Sequence, residues 1–250
     1  MLAQTPPNLC SSSSPQPLAA ASAGSASALN RGSSLSWHQL VYKDYRRYIC
    51  SDETFFRTVF CCQGFWATFV YRIARAIVLS AKPAIFRRLL RAALSIIQKF
   101  VEILTTGISI PPECEIGEGL YIGHHGTTIL PARGSLGRNC NLGHGVTIGL
   151  AGSGEKRGAP RIGNRVFIGT HAVIVGKITI GDDAMICAGS VLTRSIPPRA
   201  VAIGNPARVV SFDGAFDHVI YDGMEQDPER QASLALRGQL GKTDPTAGVL

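Results

Sequence analysis

A mainly β fold, a parallel β-helix of hexapeptide repeats preceded by an α-helical region, is predicted by three features of this sequence. Aliphatic residues recur at every sixth position: Ile162, Ile168, Ile174, Ile180, Ile186 and Leu192 follow without a miss, and Leu136, Leu142 and Ile148 keep the same step. Small or medium residues recur four places after the aliphatic, at Val146, Val166, Ala172, Ile178, Ala184 and Ser190. Glycine directly follows many of the aliphatics, as at Gly117, Gly143 and Gly163. A period of six matches neither the 3.6 of a helix nor the 2 of a strand. It is the signature of a parallel β-helix, in which three steps close one triangular coil and inward aliphatics stack at the strand spacing of about 4.8 Å. Glycine is expected at the bends that need positive φ.

Taken in chain order, residues 1–34 are rich in Ser, Ala and Pro and contain no acid. Such a segment cannot bury enough apolar surface to offset its ordering entropy, so a disordered low-complexity tail is expected. An organellar transit peptide has a similar composition. Residues 35–106 read as helical, with apolar stripes at Phe65, Phe69, Ile73 and Ile77 and, after Pro83, at Phe86, Leu90 and Ile97. The expectation is that these stripes pack on their own domain or a neighbouring subunit while the arginines are solvated. A basic amphipathic surface in peripheral contact with a membrane is the alternative. Residues 107–210 form the β-helix, and 211–250 a C-terminal tail with a short helix near "DPERQASLAL".

The whole chain of 250 residues carries a net charge of +8, which suits an anionic partner. No RNA-type aromatic motif or zinc-finger spacing is present, so nucleic acid is not expected as that partner. Seven cysteines without a CxxC pair fit reduced thiols in a cytoplasm. No uninterrupted apolar run reaches membrane-spanning length.

The period is broken twice, between Ile122 and Leu136 and between Ile148 and Ile162. Each stretch reads as two steps plus two extra residues that leave the prism as loops. His124 and His144 each lie two places after an inward aliphatic, and those aliphatics are one coil apart. The register therefore stacks His124 and His144 at one corner, with Asn164 next in the column. His171 is a secondary candidate; His38 and His218 read as surface residues.

The stretches "IGEGLYIGHHGTTIL", "CNLGHGVTIGL", "PRIGNRVFIGTHAVIVGKITIGDDAMICAGSVL" and "IPPRAVAIGNPARVV" resemble the serine acetyltransferase family of left-handed β-helix acyltransferases over residues 107–210. The resemblance implies an acetyl-CoA-dependent O-acetyltransferase, assembled as a homotrimer or a dimer of trimers, with its site in the groove between neighbouring β-helices. His124 matches the family's catalytic general base, a role that suits imidazole near neutral pH. His144 or Ser109 would assist it, and glycine-rich backbone N–H groups would stabilise the oxyanion. Gly149, Thr170, Ala188 and Gly189 would line the pantetheine arm of the cofactor, and Arg194, Arg199 or Arg208 would meet its phosphates. The chain departs from the family at Gly123 and Ser109, where the family has acids, and at Ala159, where it has a second histidine. L-Serine, in cysteine biosynthesis, is the first acceptor implied, and a sugar or polysaccharide hydroxyl the alternative. A zinc β-helix carbonic anhydrase needs a His-x4-His pair that the sequence lacks, and no metal is expected. A non-catalytic scaffold would bind no CoA.

Overall fold

The computed structural model of the protein describes residues 35–50, 54–80 and 83–237; the tail expected at 1–34 lies outside them. Helices α1 (Trp37–Ile49), α2 (Phe55–Cys61), α3 (Gln63–Leu79) and α4 (Ala84–Val101) come first, and a π-helical turn, Glu102–Thr106, ends the helical region. Three parallel sheets then wind through the chain as short strands. The first stacks Ile108–Ser109, Thr128–Ile129, Thr147–Gly149, Val173–Val175 and Val191–Leu192. The second stacks Glu115–Ile116, Ser135–Leu136, Arg161–Ile162 and Thr179–Ile180. The third stacks Tyr121–Ile122, Asn141–Leu142, Phe167–Ile168, Met185–Ile186 and Val201–Gly204. Successive strands belong to successive sheets, which is the triangular coil that a six-residue period dictates.

The inward aliphatics align in columns, Ile122–Leu142–Ile168–Ile186 in the third sheet and Ile116–Leu136–Ile162–Ile180 in the second. The smaller residues four places on are buried with them: Val146, Val166, Ala172 and Ala184 are wholly inaccessible. The two breaks, however, are unlike. From Ile122 to Leu136 the chain passes through the strand Thr128–Ile129, giving two steps with two extra residues. From Ile148 to Ile162 it passes from the first sheet directly to the second. That stretch is one step carrying a long excursion, closed by a bridge between Ala151 and Gly158. Asn164 therefore does not continue the column of His124 and His144. It stands one corner away, where its Oδ1 accepts from the Arg138 N–H at 3.0 Å and its own N–H donates to Asp182 Oδ1 at 2.7 Å. Residue spacing alone cannot tell a skipped strand from a lengthened loop.

The glycines also differ from expectation. Those directly after the aliphatics are not the residues at positive φ. They allow coils to approach: a Cβ on Gly163 would lie 2.3 Å from Asp182 Oδ1 and one on Gly169 2.5 Å from Ala188 N. Positive φ falls two residues later, at Asn139, Gly145, Arg165, His171, Asp183, Gly189 and Arg199.

The helices close one end of the prism. Backbone N–H groups donate both forward to the next coil, as from Gly117 to Leu136 and Tyr121 to Cys140, and back to the preceding one, as from Leu130 to Ser109 and Asn139 to Glu118. The alternate carbonyls of the first coil, those of Ile110, Cys114, Ile116, Gly117 and Gly119, therefore face away from the stack, where no coil precedes them. Side chains of the helices supply the donors: Gln98 Nε2 to Ile110 O (2.7 Å), Tyr71 Oη to Cys114 O (2.7 Å), Arg72 to Ile116 O and Gly117 O, and Arg47 to Gly119 O (2.9 Å). Arg72 also forms a buried bidentate pair with Asp44 at 2.7 and 3.0 Å, and the Leu120 N–H donates to the same carboxylate. Burial alone would lower the Arg72 guanidinium, but Asp44 holds it above its ordinary value.

These contacts correct the reading of solvated arginines. They also shift the predicted α3 stripe: Phe65 is buried as expected, together with Ala67, Thr68, Tyr71, Arg72 and Ala74, while Phe69, Ile73 and Ile77 are only half-buried. Gly64 lets α3 approach the prism, because a Cβ there would lie 2.1 Å from Ile122 O. At the other end, Ala207–Ser211 pairs antiparallel with Val201–Gly204 and finishes the third sheet. The segment beyond does not cap that end. It packs outside the third sheet through Ala215, Val219 and Tyr221 against Phe167 and Met185. Its helix, α5 (Pro228–Ala235), is capped by Asp227, and Arg165 bridges Asp183 and Glu229 to hold it.

Candidate active site

The corner between the third and first sheets carries the histidines. His124 follows Ile122 by two residues and His144 follows Leu142 by two, and those aliphatics are direct strand partners. The rings stack edge to face, with centroids 6.0 Å apart and planes at 75°. The next coil adds a third ring. His171 meets His144 at 5.0 Å and 86°, and its N–H donates to the His144 carbonyl at 2.9 Å. His171 holds φ at 58° in the place where neighbouring coils have Gly145 and Gly189. Gly145 makes the contact possible: a Cβ on it would lie 2.3 Å from His171 Nδ1. His124 and His125 are exposed, and His144 is half-buried with Nδ1 buried and without a hydrogen-bond partner among the described residues.

The same corner continues through Thr170, whose carbonyl accepts from the Gly189 N–H at 2.8 Å. Ala188 and Gly189 are exposed, and a Cβ on Gly189 would meet nothing within 4 Å. His124, His144, His171, Thr170, Ala188 and Gly189 thus share one corner strip, bare of large side chains only at Ala188 and Gly189. Gly149 lies beyond it, at the end of a first-sheet strand, its carbonyl accepting from Gly176 at 3.2 Å. Ser109 is half-buried in the first sheet; no hydrogen bond joins it to His124 among the described residues.

The three arginines are not brought together. Arg194 is exposed after the last strand of the first sheet, and Arg208 is exposed on the antiparallel strand. Arg199 is buried at the opposite corner in left-handed backbone, its N–H donating to Asp182 O at 2.9 Å. Its Nη1 is buried without a hydrogen-bond partner among the described residues, and it lies apart from the exposed Arg194 and Arg208. Ala159 lies in the excursion before Arg161. That loop roofs a hollow of about 880 Å³ lined by Arg133, Arg157, Arg161 and Lys177 and by no acid. Among the described residues no group of three or more His, Cys, Asp or Glu is placed to hold a metal ion.

Residues 159–194 match the family model for bacterial transferase hexapeptide (six repeats). The chain is 33% identical over 150 residues to the serine acetyltransferase of Helicobacter pylori, covering 60% of this chain and 82% of that one. It is 34% identical over 169 residues to that of Mycobacterium tuberculosis, covering 66% and 70%. The chain belongs to the serine acetyltransferase family. The crystal structure of Neisseria gonorrhoeae serine acetyltransferase in complex with serine superposes with a TM-score of 0.60 at 31% identity, over 70% of this chain and 69% of that one. The fold is accordingly the left-handed β-helix of that family.

The member of this corner that sequence reasoning did not place in the column is His171, whose ring meets that of His144. Its signal was available: it occupies the third place after Ile168, where the neighbouring coils carry glycine.

Proposed function

We propose that this chain is an acetyl-CoA-dependent O-acetyltransferase, with L-serine as first acceptor in a cytoplasmic route to cysteine. The observation that carries this reading is His124. It is an exposed imidazole at the head of a stacked corner, in a chain of the serine acetyltransferase family. His124 takes the proton of the acceptor hydroxyl as its oxygen bonds to the thioester carbonyl carbon. The carbon–sulfur bond breaks, and the proton passes to the departing thiolate. His144, packed edge-on against it, is the positioning residue in place of the acids that Gly123 and Ser109 do not supply.

The strip of Thr170, Ala188 and Gly189 suits an extended pantetheine arm, since little side chain stands in its way. Gly149 extends that track along the first sheet. Arg194 and Arg208 are the exposed cations for the phosphates. When bound, the cofactor supplies the activated acetyl group. A homotrimer or a pair of trimers places this strip in a groove between copies. A sugar hydroxyl is the second reading of the acceptor, favoured by the absence of acids at Gly123 and Ser109.

Thiol release from acetyl-CoA against L-serine, homoserine and common sugars tests the reading. His124→Ala is expected to lose about 100-fold or more in rate with an unchanged melting temperature. Near-full activity in that variant would remove His124 as the base, and release with a sugar alone would change the acceptor.

A further inference from the structure

Four cations from separate parts of the β-helix line the hollow beneath the excursion between Ile148 and Ile162. Arg133 precedes the strand Ser135–Leu136, Arg157 lies in the excursion, Arg161 opens the strand Arg161–Ile162, and Lys177 leads into Thr179–Ile180. None of the four forms an ion pair among the described residues. Elsewhere the chain pairs the cations it packs, Arg72 with Asp44, Arg138 with Asp227 and Arg165 with Asp183. The excursion's own acid, Glu155, lines a separate hollow with Lys156, against Val175 and Thr193. On the second sheet Arg161 has neutral partners in register, Ser135 and Thr179, and the next residue of that column, Glu115, faces Arg75 at 3.9 Å. Like charges gathered in a concavity without a counter-charge hold a standing positive potential. The roof is fixed by its own bonds. Ala151 and Gly158 exchange backbone hydrogen bonds at 3.2 and 3.1 Å, and Lys177 Nζ donates to the Glu155 carbonyl at 3.2 Å. Gly158 permits this closeness, because a Cβ on it would lie 2.8 Å from the Lys177 Cβ.

We infer that this hollow binds a small molecule bearing two or more phosphate groups. A volume of about 880 Å³ suits a molecule rather than a single ion. Three guanidinium forks match phosphate oxygens two at a time, and Thr179 adds a hydroxyl. Leu150, Ala159 and Ile178 offer apolar contact to the rest of the ligand. The histidine corner lies between the third and first sheets, so within one chain the first sheet separates it from this hollow. The site is therefore independent of the acetyl-transfer reading. Two carriers share the phosphate chemistry, a free phosphorylated metabolite and the nucleotide end of coenzyme A.

Calorimetric titration of the full chain with pyrophosphate, in about 0.15 M salt, tests the site. Saturable binding is expected, with affinity about tenfold lower in Arg157→Ala and in Arg161→Ala. Both side chains are exposed, so the melting temperature of the free protein should not move. Lys156→Ala removes the same charge from the same loop but outside the hollow, and should change affinity less than about twofold. Pyrophosphate that stays bound in excess coenzyme A assigns the site to a free metabolite. Displacement, with a similar tenfold loss of coenzyme A affinity in Arg157→Ala, assigns it to the nucleotide. No binding at about 1 mM pyrophosphate, or binding insensitive to both arginine substitutions, overturns the proposal. So does an equal loss from Lys156→Ala, which would reduce the effect to net charge.

Discussion

The prism and its helical cap obey opposite rules. In the prism, Ile162, Ile168 and Ile180 point inward and are wholly buried, while polar residues occupy corners and outer faces. In the cap, Arg47, Arg72, Tyr48 and Gln98 point inward beside the buried Phe65, Ala67 and Tyr71, and the apolar stripe of α4 points out. The difference follows from hydrogen-bond accounting. Each inner coil finds partners for its backbone in the coils on either side, so its side chains need only fill the core. The first coil lacks a preceding coil, and its outward carbonyls must take donors from elsewhere or remain unpaired at a cost of about 1–3 kcal/mol each when buried. Helices placed there are oriented by their donors, and their hydrophobic faces go where space remains.

Breaking the cap at Arg72 should have the largest effect. Arg72→Met leaves Asp44 buried without its partner and strips donors from Ile116 and Gly117, an expected loss of about 3–5 kcal/mol in chemical denaturation. A loss below about 1 kcal/mol would show that the cap does not depend on this pair. The double variant Asp44→Leu, Arg72→Met should recover part of the loss, because the isolated charge is gone.

One residue type then separates the two regions directly. Ile168→Ala in the prism should cost about 2–5 kcal/mol by emptying a fully buried site. Ile96→Ala in α4 should stay within about 0.5 kcal/mol, since that side chain touches mostly solvent in this chain. Equal losses from the two would mean that the α4 stripe is covered within the folded chain.

The contrast also explains what could be read in advance. The prism was legible because every coil repeats the same inward positions, so Ile162 through Leu192 state the fold several times over. The first histidine pair was legible for the same reason, since Ile122 and Leu142 are true partners. Asn164 was misplaced because a loop of fourteen residues conceals how many strands it contains. The arginines of the helices were misread because periodicity reports apolar spacing and is silent on which carbonyls lack donors. His171 was left out of the column for a related reason. Its place beside His144 comes from a left-handed corner and the missing Cβ of Gly145, neither of which has a period of its own.

Gly145→Ala probes that corner. At φ 72° an alanine is strained by about 1–2 kcal/mol, and its Cβ would displace the His171 ring from His144. The expected result is a modest stability loss accompanied by altered acetyl transfer. Stability loss alone, with transfer unchanged, would mean that the His144–His171 contact serves packing rather than the site.

The smallest effect expected concerns the thiols, which mark the two regions without perturbing either. Burial pushes Cys140 up to about 11 and Cys114 up to about 12, both inside the prism. Cys61, in α2 of the cap, is exposed. The folded prism keeps its thiol protons where the unfolded chain begins to lose them, near 9. These groups therefore leave stability unchanged below about pH 8, and stability declines only as pH rises beyond that toward 11 and 12. Since the thiolate is the reactive form, a disulfide reagent at pH 8 should modify Cys61 promptly and reach Cys114 and Cys140 only at the rate of unfolding. Prompt modification of Cys140 in the folded protein would place an opening in the prism next to Arg47, its neighbour in the cap, and would erase the difference in rigidity between the two regions.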